Sequence, residues 1–141
     1  MTGRKLNAKF LIPGSVRGDA LVSRLPFTFA HGVNPSTGDV TDVHSDIRGA
    51  SVKGKVLFYP FGKGSTTASA WFLETVRLGN APAAVVTQGV DLSAVIGSVV
   101  ARALYGKAIP VASLPPGDFA TVETGERIVL GETPGELEVG A

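Results

Sequence analysis

Val56-Leu-Phe-Tyr-Pro-Phe-Gly-Lys-Gly-Ser-Thr-Thr-Ala-Ser-Ala-Trp-Phe72 is the stretch from which the fold is read. Its first four residues are apolar without alternation, the pattern of a strand buried on both faces. Pro60, Gly62 and Gly64 stop that strand. Ser65-Thr-Thr67 then offers hydroxyls where a helix begins, because short side-chain oxygens accept from the free amides of a first turn. From Ala68 to Leu78 the apolar residues Ala68, Phe72 and Val76 recur at helical spacing. The unit is strand, glycine turn, helix.

Downstream the pattern repeats. Gly79-Asn80 and Pro82 end the first helix, Ala83–Thr87 reads as a short buried strand, and Leu92–Tyr105 as a second helix with Asp91 or Ser93 near its cap. Ile109–Ser113 forms another strand and Pro115-Pro-Gly117 a turn. Beyond it, β segments are expected around Thr121–Glu123, Arg127–Leu130 and Glu136–Val139. Upstream, Lys9–Ile12, Asp19–Ser23 and Phe27–Ala30 are short apolar runs parted by Pro and Gly, and a strand is expected over Ser51–Tyr59. Asn34-Pro-Ser-Thr-Gly-Asp39 is a turn, and Asp42–Arg48 is polar and irregular. Two helices on one side of a mixed sheet, with further β structure on the other, define an α+β domain of layered β/β/α type spanning 1–141.

Composition narrows the function. The chain has 141 residues, 44% hydrophobic and only 18% charged, with a net charge of +1. That is enough for a hydrophobic core, and so low a charge fraction points either to a thick core or to surface covered by a partner, the second being favoured. The aromatic residues do not interleave with Lys or Arg, so nucleic-acid binding is not expected. Apolar runs are too short for a bilayer span and no signal core follows the basic N-terminus, which gives a cytoplasmic expectation. Cysteine is absent, which excludes disulfides, thiol nucleophiles and any thiolate-held cluster or zinc on this chain alone.

The chemistry-bearing motif is the glycine turn itself. Gly62 and Gly64 permit a tight turn and close approach of the backbone to a ligand. Ser65 follows where first-turn amides and the helix dipole favour negative charge: a phosphate, a carboxylate or an alkoxide. A simple N-cap would explain the same serine. The Walker spacing is not met, since Gly64 separates Lys63 from Ser65, and the Gly-x-Ser-x-Gly elbow is missing. Lys63 reads either as an exposed lysine or as a cation for a substrate phosphate or an acidic partner residue. Thr66, Thr67 and Ser69 either line the anion site or serve the helix start. His31, Asp42, His44 and Asp46 match no ligand spacing, so loop solvation or partner contact is expected of them rather than metal binding.

Gly62-Lys-Gly-Ser-Thr-Thr-Ala-Ser69, with Gly79-Asn-Ala-Pro-Ala-Ala84, resembles the small subunit of the aconitase X family. Phe27-Thr-Phe29, His31-Gly-Val-Asn-Pro35, Thr37-Gly38, Asp42, His44, Gly49 and Val16-Arg-Gly-Asp-Ala-Leu-Val22 resemble it too, so the likeness runs from about Gly14 to Pro110. The resemblance implies a swivelling domain like the small domain of aconitase. It also implies a hydro-lyase that is active only with a large aconitase-like subunit, in a heterodimer or higher assembly, with a [4Fe–4S] cluster held by that partner. It makes Ser65 the base that takes a proton from carbon; the glycine turn itself gives Gly64, Thr66 and Lys63 as the expected substrate-binding residues, and no metal is expected on this chain. Ordinary aconitases continue Ser-Ser-Arg; here Ser65-Thr66-Thr67 lacks the arginine that grips a second carboxylate, so citrate is not the expected substrate. Ala30 is a further departure from the family pattern. Archaeal two-chain members dehydrate mevalonate 5-phosphate in isoprenoid synthesis, and bacterial members dehydrate cis-3-hydroxy-L-proline. The phosphorylated hydroxy acid is the favoured expectation, with the proline compound or a non-catalytic scaffold domain as the alternatives.

Overall fold

The computed structural model describes residues 3–64 and 67–140. Its elements are β1 (Arg4–Asn7), β2 (Lys9–Ile12), β3 (Val16–Val22), β4 (Val56–Tyr59), α1 (Ala68–Arg77), β5 (Ala84–Thr87), α2 (Leu92–Tyr105), β6 (Val111–Ser113), α3 (Pro116–Phe119), β7 (Arg127–Leu130) and β8 (Glu136–Val139). Among the described residues the strands pair in the order β1-β8-β7-β3-β4-β5-β6-β2.

The two ends of that order are neighbours in the chain. β1 runs antiparallel to β8 with Arg4 opposite Val139, and β2 runs antiparallel to β6 with Lys9 opposite Ser113. Only Ala8 separates β1 from β2, and its amide donates to the Gly135 carbonyl at 2.9 Å. One continuous stretch therefore staples both edges and closes the sheet into a barrel-like shape, which leaves little free edge to recruit another strand. β3 makes the opposite corner: Val16–Asp19 pair antiparallel with β7, and Ala20–Val22 pair parallel with β4.

The central strands are buried on both faces, as their unbroken apolar runs predict. Val56 and Phe58 of β4, Ala84 and Val86 of β5, and Ala20 and Val22 of β3 face one core, shared with Phe119, Ile128, Leu130 and Leu137 inside the barrel. The alternate residues Leu57, Tyr59, Val85 and Leu21 face a second core beneath α1 and α2 with Phe27, Phe29 and Phe72. The α+β assignment with helices on one side and β structure on the other describes this arrangement.

Several local readings need correction. Phe27 and Phe29 are buried in alternation, as in a strand, but pairing there is a single parallel bridge between Phe27 and Gly62. The chain between Ser51 and Lys55 turns, and the strand starts at Val56. Thr121–Glu123 is not a strand: Val122 is buried at the end of a turn that follows α3. α3 itself grows from the Pro115-Pro116 turn, because proline fits the first helical position, where no amide is needed. β1 lies in a segment that its sequence marks only by basic charge.

Candidate functional site

The site begins where β4 ends. Tyr59 is fully buried, and its hydroxyl donates to Asp91 Oδ2 at 2.6 Å. The other carboxylate oxygen, Oδ1, accepts from the Ser93 amide at 3.1 Å and from the Ser93 hydroxyl at 2.6 Å. Asp91 is thus the N-cap of α2, with extended backbone at φ −101 and ψ 100. It satisfies a first-turn donor and ties the start of α2 to the end of β4. Burial, followed by the adjacent Asp91 carboxylate, pushes the Tyr59 hydroxyl well above its ordinary pKa, so it remains a donor.

The glycine turn rests directly on this carboxylate. A Cβ at Gly62 would lie 2.6 Å from Asp91 Cγ and 2.7 Å from each carboxylate oxygen, so only glycine fits. Gly64 has a left-handed φ of +69, the conformation that glycine adopts at low cost. The turn is also held from the opposite side. The Phe27 amide donates to the Phe61 carbonyl at 2.9 Å, and the Lys63 amide donates to the Phe27 carbonyl at 3.1 Å. Phe27 in turn stacks on Tyr59 at 5.2 Å, meets Phe29 edge-on at 5.5 Å, and Phe29 meets Phe72 of α1 at 4.9 Å. An aromatic chain from the loop to the helix thereby fixes both flanks of the turn.

The turn opens on a cleft of about 570 Å³ lined by Gly62, Gly64, Ser69, Val90, Asp91, Leu92, Ser93 and Ile96. That volume is sufficient for a small metabolite. Ser69 in the first turn of α1 and Leu92 and Ser93 in the first turn of α2 line it, so the starts of both helices border one cleft.

Of the residues expected at the site from sequence, Ser65 and Thr66 lie outside the described residues. Gly64 and Ser69 line the cleft, and Thr67 is the residue from which α1 starts. Lys63 bonds through its ammonium to Asp42 Oδ2 at 2.7 Å. Its counter-charge is therefore an acid of its own chain. The Lys63 hydrogen bond, with the His44 amide donating to Asp42 Oδ1 at 2.9 Å, holds the Asp42 carboxyl below its usual range. Asp46 accepts from the Ser23 hydroxyl and the Arg24 amide, both at 2.8 Å, which buttresses the loop after β3. His31, at φ +58, meets the Trp71 ring at 4.5 Å with the two planes tilted by 53°. Among the described residues no group of three His, Cys, Asp or Glu converges as metal ligands.

Sequence reasoning missed the role of Asp91. Its capping function is legible, but its contact with Tyr59 and Gly62 joins residues 32 and 29 positions apart, and no local pattern encodes it.

A closed mixed barrel carrying two helices, with a glycine turn at the start of one and a capped start of the other, is the geometry of the aconitase X swivel domain. The profile of that family matches residues 5–139, and the chain belongs to it. The crystal structure of Thermococcus kodakaraensis aconitase X in its holo form is similar with a TM-score of 0.86 at 34% identity, covering 97% of this chain and 98% of that one. The phosphomevalonate dehydratase small subunit of Thermococcus gammatolerans is 36% identical over 135 residues, 96% of this chain and 97% of the relative. The cis-3-hydroxy-L-proline dehydratase of Pseudomonas aeruginosa is 36% identical over 104 residues, which are 74% of this chain but only 18% of that protein.

Proposed function

We propose that this chain is the small subunit of a hydro-lyase that dehydrates mevalonate 5-phosphate to trans-anhydromevalonate 5-phosphate, with Ser65 as proton acceptor. The observation that carries the reading is end-to-end similarity to a phosphomevalonate dehydratase small subunit, covering 96% of this chain and 97% of that one. The glycine turn supports it physically. Dehydration needs a base at one carbon and a Lewis acid on the departing hydroxyl of the next. A serine becomes a usable base only where fixed dipoles stabilise its alkoxide, and backbone amides at a helix start supply them without reorganisation.

The Lewis acid is assigned to the partner. This chain has no cysteine, and its described residues assemble no ligand group, so a [4Fe–4S] cluster does not fit on it. The proposed large aconitase-like subunit holds the cluster, and the site is complete only when the subunits close and exclude water. A cytoplasmic setting belongs to the same reading; among the described residues no helix is long and apolar enough to cross a membrane.

The deciding experiment is co-expression with the large subunit, followed by anaerobic assay of both candidate substrates. Turnover of mevalonate 5-phosphate by the complex, with none by this chain alone, is the expected result. Turnover of cis-3-hydroxy-L-proline without the phosphate ester would replace the substrate assignment. A complex inactive on both would favour a scaffold role.

A further inference from the structure

α2 is built inside out. Its inward face consists of small residues, Ala94, Gly97, Ser98 and Ala101. A Cβ at Gly97 would lie 2.5 Å from Phe72 Cδ1, so α2 lies hard against α1 only because that position is bare. Val95 packs half-buried against the core, but other large apolar residues point the other way: Leu92 is 66% exposed, and Ile96 and Val99 are each 52% exposed. These three follow the i, i+4, i+7 spacing of one helix face. Arg102 is the only charged residue in all fourteen positions of the helix. An ordinary surface helix does the opposite, burying its large apolar stripe and presenting charge to water.

The stripe does not stop at the helix. Val90 and Phe61 are 50% and 52% exposed. A Cβ at Gly89 would lie 2.6 Å from the Phe61 ring, which places that ring over the Gln88–Val90 turn. Val90, Leu92 and Ile96 also form one wall of the cleft under Gly62 and Gly64. A continuous apolar strip thus runs from the lip of the candidate active site along α2, the kind of patch that marks an interaction surface.

We infer that Phe61, Val90, Leu92, Ile96 and Val99 form the docking surface for the large subunit, which presents a complementary apolar strip. This inference rests on the small-subunit reading above. Two observations select this occupant. The strip shares residues with the mouth of the cleft that the large subunit must close. In the Pseudomonas aeruginosa relative the matching segment is only 18% of the polypeptide, so there the equivalent domain is part of a much larger chain. A second copy of this chain seated on the same strip would cover the cleft and bar the partner.

The test is the dissociation constant of this chain for the purified large subunit of the same organism, with Ile96→Asp, Val99→Asp and Ile96→Leu as variants. Glu132→Lys, on the loop between β7 and β8, is the control. Each aspartate should weaken binding about 30-fold or more, the scale of a buried interface hot spot. Ile96→Leu and Glu132→Lys should bind like wild type, and the isolated variants should melt near wild type because the altered side chains are exposed. Should an aspartate unfold the helix, Ile96→Ser gives the same comparison without a charge. Wild-type chain that fails to bind the large subunit would overturn the small-subunit reading and the docking surface together. Wild-type binding and turnover with aspartate variants of unchanged affinity would overturn the docking surface alone. Variants that lose only self-association, while binding the large subunit normally, would also overturn it.

Discussion

The barrel and helix α2 treat their surfaces in opposite ways, although α1 beside it carries an exposed Glu74–Arg77 pair. On the barrel, Arg4 pairs with the half-buried Glu126, and the exposed side chains of Arg17 and Arg127 pair with those of Glu132 and Asp19. On the helix side, α2 shows water almost no charge and exposes Leu92, Ile96 and Val99. Both sides rest on the same central strands. The difference teaches that the barrel presents paired charges to water, whereas α2 presents an apolar stripe beside the cleft. The glycine turn lies on the cleft side.

The comparison breaks most sharply at Ser65. If the cleft side is where chemistry happens, Ser65→Ala should lower turnover of the assembled enzyme by about 10²–10⁴, the usual loss with a positioned general base. Large-subunit affinity should stay unchanged, since many other side chains build the docking surface. Steady-state turnover, affinity and melting measured on one preparation separate these effects. A variant that binds its partner and retains near-wild-type turnover removes Ser65 from the chemistry.

Gly62→Ala tests whether the turn is rigid. The added methyl would meet the Asp91 carboxylate at 2.6 Å, and that carboxylate is locked by Tyr59 and Ser93. Either the carboxylate's three hydrogen bonds from Tyr59 and Ser93 are strained or the turn moves. Stability should fall by about 1–3 kcal/mol, as for overpacked interiors, and turnover should drop by about tenfold or more through misplacement of the turn. Thermal melting and an activity assay check both; unchanged turnover would show that the turn tolerates displacement.

Tyr59→Phe is a milder probe of the same junction. It leaves one oxygen of a buried carboxylate without its donor, a cost of about 1–3 kcal/mol and hence several degrees in Tm at this chain length. The pH dependence is specific. Burial, and secondarily Asp91, raise the folded-state pKa of Tyr59 above its unfolded value of 10.0. The native state therefore keeps a proton that the unfolded state gives up. Stability from this group is complete below about pH 10 and falls as pH rises beyond it. The alkaline slope of wild-type stability should be shallower in Tyr59→Phe, measured by chemical denaturation across that range.

How much of this was legible beforehand follows from sequence distance. The strand, glycine turn and helix are local, and their periods switch within Val56–Phe72, so they read cleanly. The two-faced burial of β4 and β5 follows from unbroken apolar runs. Barrel closure does not: Arg4 meets Val139 across the whole length of the chain, and no short-range pattern announces β1. Phe27–Ala30 shows the limit of periodicity, since Phe27 and Phe29 alternate inward while their backbone makes one bridge rather than a ladder. At the site, the glycines were legible because turns demand them. The Tyr59–Asp91–Gly62 contact was not, because a tyrosine within an apolar run and an aspartate before a helix each have a sufficient local explanation.

The smallest effect sharpens the comparison with ion pairs of nearly equal length. Lys63–Asp42 spans 2.7 Å and Arg17–Glu132 spans 2.6 Å, but the Asp42 side chain is 15% exposed and that of Glu132 is 58% exposed. Exposed pairs are worth about 0–1 kcal/mol, and the shielded pair should lie near the top of that range because less water screens it. The Asp42 carboxyl is held below its ordinary value of 3.8 by Lys63 first and the His44 amide second. The unfolded state therefore binds a proton more readily as pH falls. Stability from this group is present above about pH 4 and disappears as pH drops through the lowered folded value. Asp42→Asn should cost about 0.5–1 kcal/mol at neutral pH and nothing in strong acid, whereas Arg17→Ala should cost less than about 0.5 kcal/mol and respond mainly to salt. Urea melts at pH 7 and pH 2, each with and without added salt, read both. Equal losses from the two substitutions at neutral pH would show that water reaches the cleft side as freely as the barrel side, and the contrast between the two surfaces would fail.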